Sequence, residues 1–471
     1  MNNNTLLQHN IDYDLIKNIS IDILLEYNII PLEKNELFLL IATSDITQDL
    51  KYLISIFSFP VKLTKVSNQD IKFELQHISF KLDLFHLSEK ALNFLNSKQD
   101  NSYILEFIDT MFTFAICNNV SDIHIECLDE SVVIRFRIDG VLNQFFRFRI
   151  ELYPLLSSII KFLSNLDISQ KRLPLNGRFT KQINNEKYDF RISTVPTIFG
   201  ESIVIRILDN KNIQKELSEV GFEKNTLNII KKTIHLTQGL ILVTGPTGSG
   251  KTTSLYSMLR DLNTKERKII TIEDPVEYKL NGIIQININN DIELDYHTIL
   301  KNILRQDPDI LMIGEIRDTL SLHIALKAAL TGHLVIATLH TNNSVETISR
   351  LLDLKAEPYL IASTVKIILS QRLLRKLCDH CKSYDEDIKS YKSNGCTKCN
   401  FTGYYQRQIV SEILEIDKEI SKMISKNKNI SDILTTAKKN NFTTMQENAN
   451  KLIKDGITSL SEYHSKISHE I

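Results

Sequence analysis

The sequence predicts an α/β protein organised around a parallel-sheet, phosphate-binding core, and three observations carry that prediction. The apolar run "GLILVT" (239–244) ends in a glycine-rich turn and a lysine, and the chain then reads as a helix. From residue 222 onward, strand-like segments alternate with helical ones, as in a sheet whose strands are joined by crossover helices. Before that region, "SDIHIECLD", "SVVIRFRIDG", "VLNQFFRFR", "KYDFRISTVPT" and "GESIVIRILD" read as the alternating strands of a separate unit.

In chain order, residues 1–95 form a small α+β domain. "IDILLEYNIIPLEKNELFLLIATSD" predicts a helix, a turn at Pro31 and a strand at about 36–43. "DITQDLKYLISIFS" has helical spacing and "VKLTKVS" reads as the next strand. The polar stretch "NSKQDN" (96–101) predicts a linker. Residues 102–208 open with the helix "SYILEFIDTMFTFAICNN", and a second helix is expected at about 150–165. The polar, helix-compatible "DNKNIQKELSEVGF" connects this unit to the third, 222–471. Three domains suit 471 residues at about 150 residues each, and no solenoid repeat is visible.

The 56 basic and 57 acidic side chains nearly cancel, so nothing pulls the whole chain toward nucleic acid or an anionic membrane. The start lacks a basic segment followed by an apolar one, and no apolar run reaches the ~18 residues of a membrane span. These features predict a cytoplasmic protein that makes no direct nucleic-acid contact and meets a membrane through partners.

Gly245-Pro246-Thr247-Gly248-Ser249-Gly250-Lys251-Thr252 fits G-x-x-x-x-G-K-[ST] in full, between a strand and a helix, with Thr253 next on that helix. Glycines let backbone N–H groups curl around phosphate oxygens, and the helix N-terminus adds a favourable dipole. Lys251 supplies charge at the β/γ-phosphates, and the Thr252 hydroxyl belongs in a Mg²⁺ shell. The expected ligand is a nucleotide with Mg²⁺. Three later strands carry polar groups at their ends: "IITIEDPVEY" with Glu273, Asp274 and Glu277, "DILMIGEIRD" with Glu315, and "GHLVIATLHTNN" with His333 and His340. Ligands of parallel α/β sheets bind beyond the strands' carboxyl ends, so these groups are expected to converge on the phosphates.

Of six cysteines, Cys378, Cys381, Cys396 and Cys399 form two CxxC pairs separated by fourteen residues. That spacing approximates a four-thiolate zinc site with no open position for catalysis. Cys117 and Cys127 read as small buried hydrophobes.

Together "SDIHIE", "FRIDG", "FRISTVPTIFGESIVIRIL", "GLILVTGPTGSGKTTSLYSML", "IEDPVEY", "LRQDPDILMIGEIRD", "TGHLVIATLHTN" and the paired CxxC closely resemble the GspE/PilB superfamily of secretion and pilus-assembly ATPases. The resemblance runs from about 102 to 415 and is weaker over the first 90 residues. It implies a RecA-like P-loop ATPase core with a zinc-binding insert (378–404), preceded by a PAS-like α+β domain and an N-terminal docking domain that grips an inner-membrane assembly-platform protein. It further implies a homo-oligomeric ring, a hexamer, lying peripherally at the inner membrane. By position, Glu277 would activate the attacking water, Glu315 would end the Walker B strand and help hold Mg²⁺, and His333 and His340 would form a phosphate-sensing box. Arg137, Arg178, Arg191 and Arg305 would face nucleotide at subunit contacts. The tetracysteine element sides with secretion and extension motors against retraction motors, and the intact Lys251, Glu277 and Glu315 side against a scaffold without turnover. Departures are Leu175-Asn176 before Gly177-Arg178, where Gln-Asp is frequent, and Lys301, where a second arginine is common.

Overall fold

The computed structural model describes residues 11–47, 50–95, 102–208, 215–289 and 292–467. The linker expected at 96–101 and the first part of the 209–222 connector lie outside them. The chain forms two compact units. One comprises Met1–Asp209 with Cys378–Ser383 and Ser393–Tyr405, the other Asn210–Leu377 with Tyr384–Lys392 and Gln406–Ile471. The two cysteine-bearing stretches, within the element placed by chain position in 222–471, group with residues 1–209, and Tyr384–Lys392 between them with the second unit.

The first unit holds two sheets. Strands β1 (Ile29–Lys34), β2 (Leu39–Thr43) and β3 (Val61–Lys65) form a small one, β2 antiparallel to β1 and parallel to β3. Pro31, expected to turn the chain, lies inside β1, where the register to β2 shifts between Pro31 and Glu33. An edge strand tolerates a residue without an N–H. The larger sheet contains β4 (Val120–Cys127), β5 (Ser131–Ile138), β6 (Val141–Arg149), β7 (Leu175–Ile183), β8 (Glu186–Pro196) and β9 (Glu201–Leu208). It is antiparallel in the order β6-β5-β4-β9-β8-β7. Strand β7 was not expected: an edge strand needs few buried residues, and only Ile183 of its nine is buried. The helix Ser102–Cys117 buries Ile104, Phe107, Ile108, Met111, Phe112 and Ala115, the three-to-four spacing of an amphipathic face. Cys117, expected to be buried, ends that helix and is exposed, whereas Cys127 is buried.

Side chains from both parts of this unit share one hydrophobic cluster, with the Tyr13 ring stacked 5.8 Å from Phe85 and tilted 5.4 Å from Phe146. His77 is buried among Phe73, Phe114 and Phe145. Burial, aided by the charge of Lys81, lowers its pKa to about 4. Lys81 is itself buried and paired with Glu74 at 2.5 Å. An unfolded histidine takes up a proton below about 6.5, the native one only below about 4, so between these values the unfolded state binds more protons. Stability of this unit should therefore fall as pH drops from 6.5 to 4, by about 3 kcal/mol in total. Urea titrations of the parent protein and His77→Phe across that window should show a loss that the variant lacks. Equal pH slopes would remove His77 as its cause.

The second unit is a seven-stranded sheet. Its strands are β10 (Gly239–Thr244), β11 (Ile269–Glu273), β12 (Ile284–Asn287), β13 (Ile310–Ile313), β14 (Leu334–Leu339), β15 (Val365–Leu377) and β18 (Tyr404–Glu415), with a two-stranded ribbon of β16 (Ser383–Asp385) and β17 (Ser390–Lys392) beside it in sequence. The order is β12-β11-β13-β14-β10-β15-β18, and the pairs from β12 to β15 are parallel. Every residue of β10, β11, β13 and β14 is buried, as helices on both faces require. Leu240 and Leu242 enter one core and Ile241 and Val243 the other, which is the period of two read on both faces. Among the described residues, no helix is long and apolar enough to cross a membrane.

Candidate functional site

The glycine-rich loop joins β10 to the helix Lys251–Leu262. Its glycines are needed for shape: Gly245, Gly248 and Gly250 have φ of 141°, 78° and 89°, a region costly for other residues. A Cβ on Gly245 would lie 2.4 Å from the Gln371 carbonyl oxygen. Gln371, fully buried on β15, braces the loop from behind. Its Nε2 donates to the Ser249 carbonyl at 2.9 Å, and its Oε1 accepts from the Ser254 hydroxyl at 2.9 Å. The Lys251 ammonium donates to the Gly245 and Pro246 carbonyls at 2.6 and 3.1 Å. Burial lowers its pKa to about 8, opposed by the charge of Glu315.

Opposite the loop, the carboxyl ends of β11, β13 and β14 bring their polar groups together. Glu315 accepts from Arg317 Nε at 2.9 Å and lies 3.3 Å from His340 Nε2. Arg317 also reaches Asp274 at 3.3 Å. Arg317 was not expected; its signal was the "GEIRD" spacing, which places it two residues beyond Glu315. Gly314 occupies the usual Walker B aspartate position for a steric reason: a Cβ there would meet the Ile272 carbonyl at 3.0 Å. Glu273 is buried and saturated by Tyr256, Thr271 and Gln285, so it serves as a brace. Tyr256 stands on the helix after the phosphate loop with its ring 6.2 Å from that of Tyr278, and Gln285 Nε2 donates to the Tyr278 carbonyl at 2.9 Å. This ties the half-buried Glu277 loop to the phosphate loop.

Two expected members lie elsewhere. His333 immediately precedes β14, at the amino end, where its Nδ1 lies 3.0 Å from the Ala328 carbonyl. Six residues of strand, roughly 20 Å, separate it from the phosphate side. Arg305 sits in the turn Leu304–Gln306 ahead of β13, also at the amino edge. His333, expected to converge on the phosphates, does not, because it precedes its strand; Arg305, which the resemblance implied at a subunit contact, lies on the same amino edge.

The first unit arranges its arginines in one rung of the larger sheet. Strand register pairs Arg178 with Arg191, Arg191 with Arg206, Arg206 with Asp122 and Asp122 with Arg137. Directly paired residues share a face, so four guanidiniums line up with one carboxylate. Asp122 is buried and holds Arg206 Nε at 2.9 Å and Arg137 Nε at 3.7 Å. Arg206 was not expected, because only register shows that "IVIRIL" completes the row. The row concentrates basic side chains on one face of the sheet.

The cysteine sulfurs lie within 4.8 Å of one another, with 3.8 Å between Cys378 and Cys396, Cys381 and Cys399, and Cys396 and Cys399. A tetrahedron with Zn–S of about 2.3 Å has edges of about 3.8 Å. None of the four is in a disulfide, and His380 is turned to Lys398 Nζ at 2.7 Å. The donor set fits zinc.

The profile of the type II/IV secretion system protein family matches residues 97–465. The chain belongs to this family. It is 42% identical over 364 residues to the type II secretion system protein HxcR of Pseudomonas aeruginosa, covering 77% of each chain. It is 40% identical to type II secretion system protein E of Aeromonas hydrophila, over 74% of this chain and 73% of that one. To the type IV pilus assembly ATPase PilB of Myxococcus xanthus it is 38% identical, over 77% and 68%. Among solved structures, the pilus retraction motor PilT with bound ADP superposes with a TM-score of 0.55 at 27% identity, covering 76% of this chain and 96% of that one. The Legionella pneumophila ATPase DotB shares the fold, with a TM-score of 0.58 at 23% identity, over 77% and 95%. The RecA-like core and antiparallel second domain thus match the family fold.

Proposed function

We propose that this chain is an ATP-driven motor of a type II secretion or type IV pilus-assembly machine. The observation that carries the reading is the complete phosphate loop facing Glu315, His340, Arg317 and Asp274, in a chain whose relatives are secretion E proteins and PilB. Backbone N–H groups of 247–251 and the Lys251 side chain hold the phosphates. The Thr252 hydroxyl and Glu315 hold Mg²⁺, which neutralises charge on the phosphate oxygens when bound. Glu277 takes the proton of the attacking water, and Glu273 and Tyr256 keep its loop in place.

His333 and Arg305, at the amino edge of the sheet, contact a neighbouring protomer of a ring, most simply a hexamer. The arginine row serves the transferring phosphoryl. Residues 1–95 dock on an inner-membrane platform protein, and the chain lies in the cytoplasm, peripheral to that membrane. Secretion or pilus extension is preferred to retraction because the chain is 42% identical to HxcR and 38% to PilB, against 27% to PilT. Phosphate release per protomer should rise with protein concentration as rings form. A constant rate from a protein shown to be monomeric would defeat the ring.

Zinc in the cysteine cluster is structural on this reading. Elemental analysis should find a single zinc per chain, and Cys396→Ser should lose it while ATP affinity changes less than twofold, roughly within the ±0.5 kcal/mol of changes remote from a site. A fully reduced protein purified without metal would overturn this.

A further inference from the structure

The four-cysteine loop belongs by contact to the first unit, and its polar atoms meet one helix there. We propose that this loop is a metal-set clasp for the N-terminal subdomain, closed by Asn400. The proposal rests on the zinc reading and adds what the metal does for the rest of the chain.

Asn400 follows Cys399 directly and has a left-handed φ of 49°. Its side-chain amide joins two segments far apart in sequence. Its Oδ1 accepts from Gln76 Nε2 at 2.9 Å, and its Nδ2 donates to Asn118 Oδ1 at 3.2 Å. Gln76 Nε2 also donates to the Thr397 carbonyl at 3.0 Å, and Gln69 Nε2 to the Asn394 carbonyl at 2.7 Å. Gln69 and Gln76 stand seven residues apart on the helix Asn68–Gln76, two turns along one face. That face therefore offers amide donors at the spacing of the loop's acceptors. Asn118 follows the helix Ser102–Cys117, so Asn400 ties the N-terminal subdomain to the next one.

The acceptors hold their positions because the cysteines do. Between 393 and 402 only Cys399 is buried, so the segment has no apolar core of its own. Its backbone is set by N–H donation from Cys396 and Gly403 to Cys399 Sγ at 3.2 and 3.3 Å. A tight turn at Gly395, where a Cβ would lie 2.5 Å from the Phe401 carbonyl, and the bond from Asn394 Nδ2 to the Cys381 carbonyl at 2.8 Å complete it. Zinc bonds four thiolates to one centre, whereas metal-free thiols are linked only by weak S–H contacts. Without metal the sulfurs separate, and the carbonyls of 394 and 397 and the amide of 400 move with them.

Hydrogen–deuterium exchange of residues 68–77 in the full-length protein tests the clasp. The arms are chelator-stripped parent protein, Asn400→Gly, which keeps the left-handed backbone, and Gln76→Ala, which leaves the loop intact. Each should exchange about tenfold faster than the metal-loaded parent, the effect of losing about two hydrogen bonds. The two variants should keep their zinc, and ATP affinity should be unchanged in all arms. Exchange at 68–77 that stays unchanged in Asn400→Gly, or on stripping while 393–403 loosens, would overturn the clasp and leave the zinc site standing. Purified protein without zinc would instead overturn the zinc reading beneath it.

Discussion

Glu277→Gln should bind ATP as the parent protein does and release phosphate roughly 10²–10⁴-fold more slowly, the contribution of a general base. The substitution removes a proton acceptor and keeps the side chain's size. The loop it sits on stays tied through Tyr256 and Glu273, and Val276 N–H still donates to Asn287 Oδ1 at 2.8 Å. Lys251→Ala should behave in the opposite way. Its ammonium is the half-buried cation beside the phosphate loop, held at 2.6 Å by the Gly245 carbonyl, so removing it should abolish nucleotide binding before chemistry is reached. Titration with a fluorescent nucleotide and a phosphate-release assay on the same samples separate the two losses. Parent-level turnover by Glu277→Gln would take that residue out of the reaction, and parent-level affinity in Lys251→Ala would move the phosphates elsewhere.

Arg191→Gln should lower turnover by roughly 10³-fold, at the lower bound for an arginine at a transferring phosphoryl. Arg191 stands in register between Arg178 and Arg206. Mixing Arg191→Gln with Glu277→Gln adds a second readout. If the arginine acts on a nucleotide held by another protomer, mixed rings contain some sites with both groups intact, and activity returns. Absence of recovery from rings shown to mix would place Arg191 at its own protomer's nucleotide.

The phosphate loop was legible in the sequence because its chemistry is local. Eight consecutive residues supply the glycines, the lysine and the hydroxyl, and the structure gives those glycines the positive φ that the pattern implies. The buried parallel strands were legible for a related reason. A strand covered on both faces needs a continuous apolar run, and "LILVT", "IITI" and "LVIATL" have one. The cysteine quartet was recognisable from two short spacings.

Strand direction and register were a different matter. His333 and His340 flank the same strand, yet only His340 reaches Glu315, because a parallel strand presents its carboxyl end alone to the site. The Arg178, Arg191, Arg206, Asp122 and Arg137 row draws on five strands, and a slip of one residue in any of them would send its member to the apolar face. Gln371, buried behind the phosphate loop more than a hundred residues away in sequence, is visible only once β15 lies beside β10. The sequence by itself determined the local pieces, whose conformations follow from side chains within a few residues. Which pieces share an edge, a rung or a clasp was decided by the tertiary structure, because backbone pairing and core packing join residues whose separation along the chain carries no periodic signal.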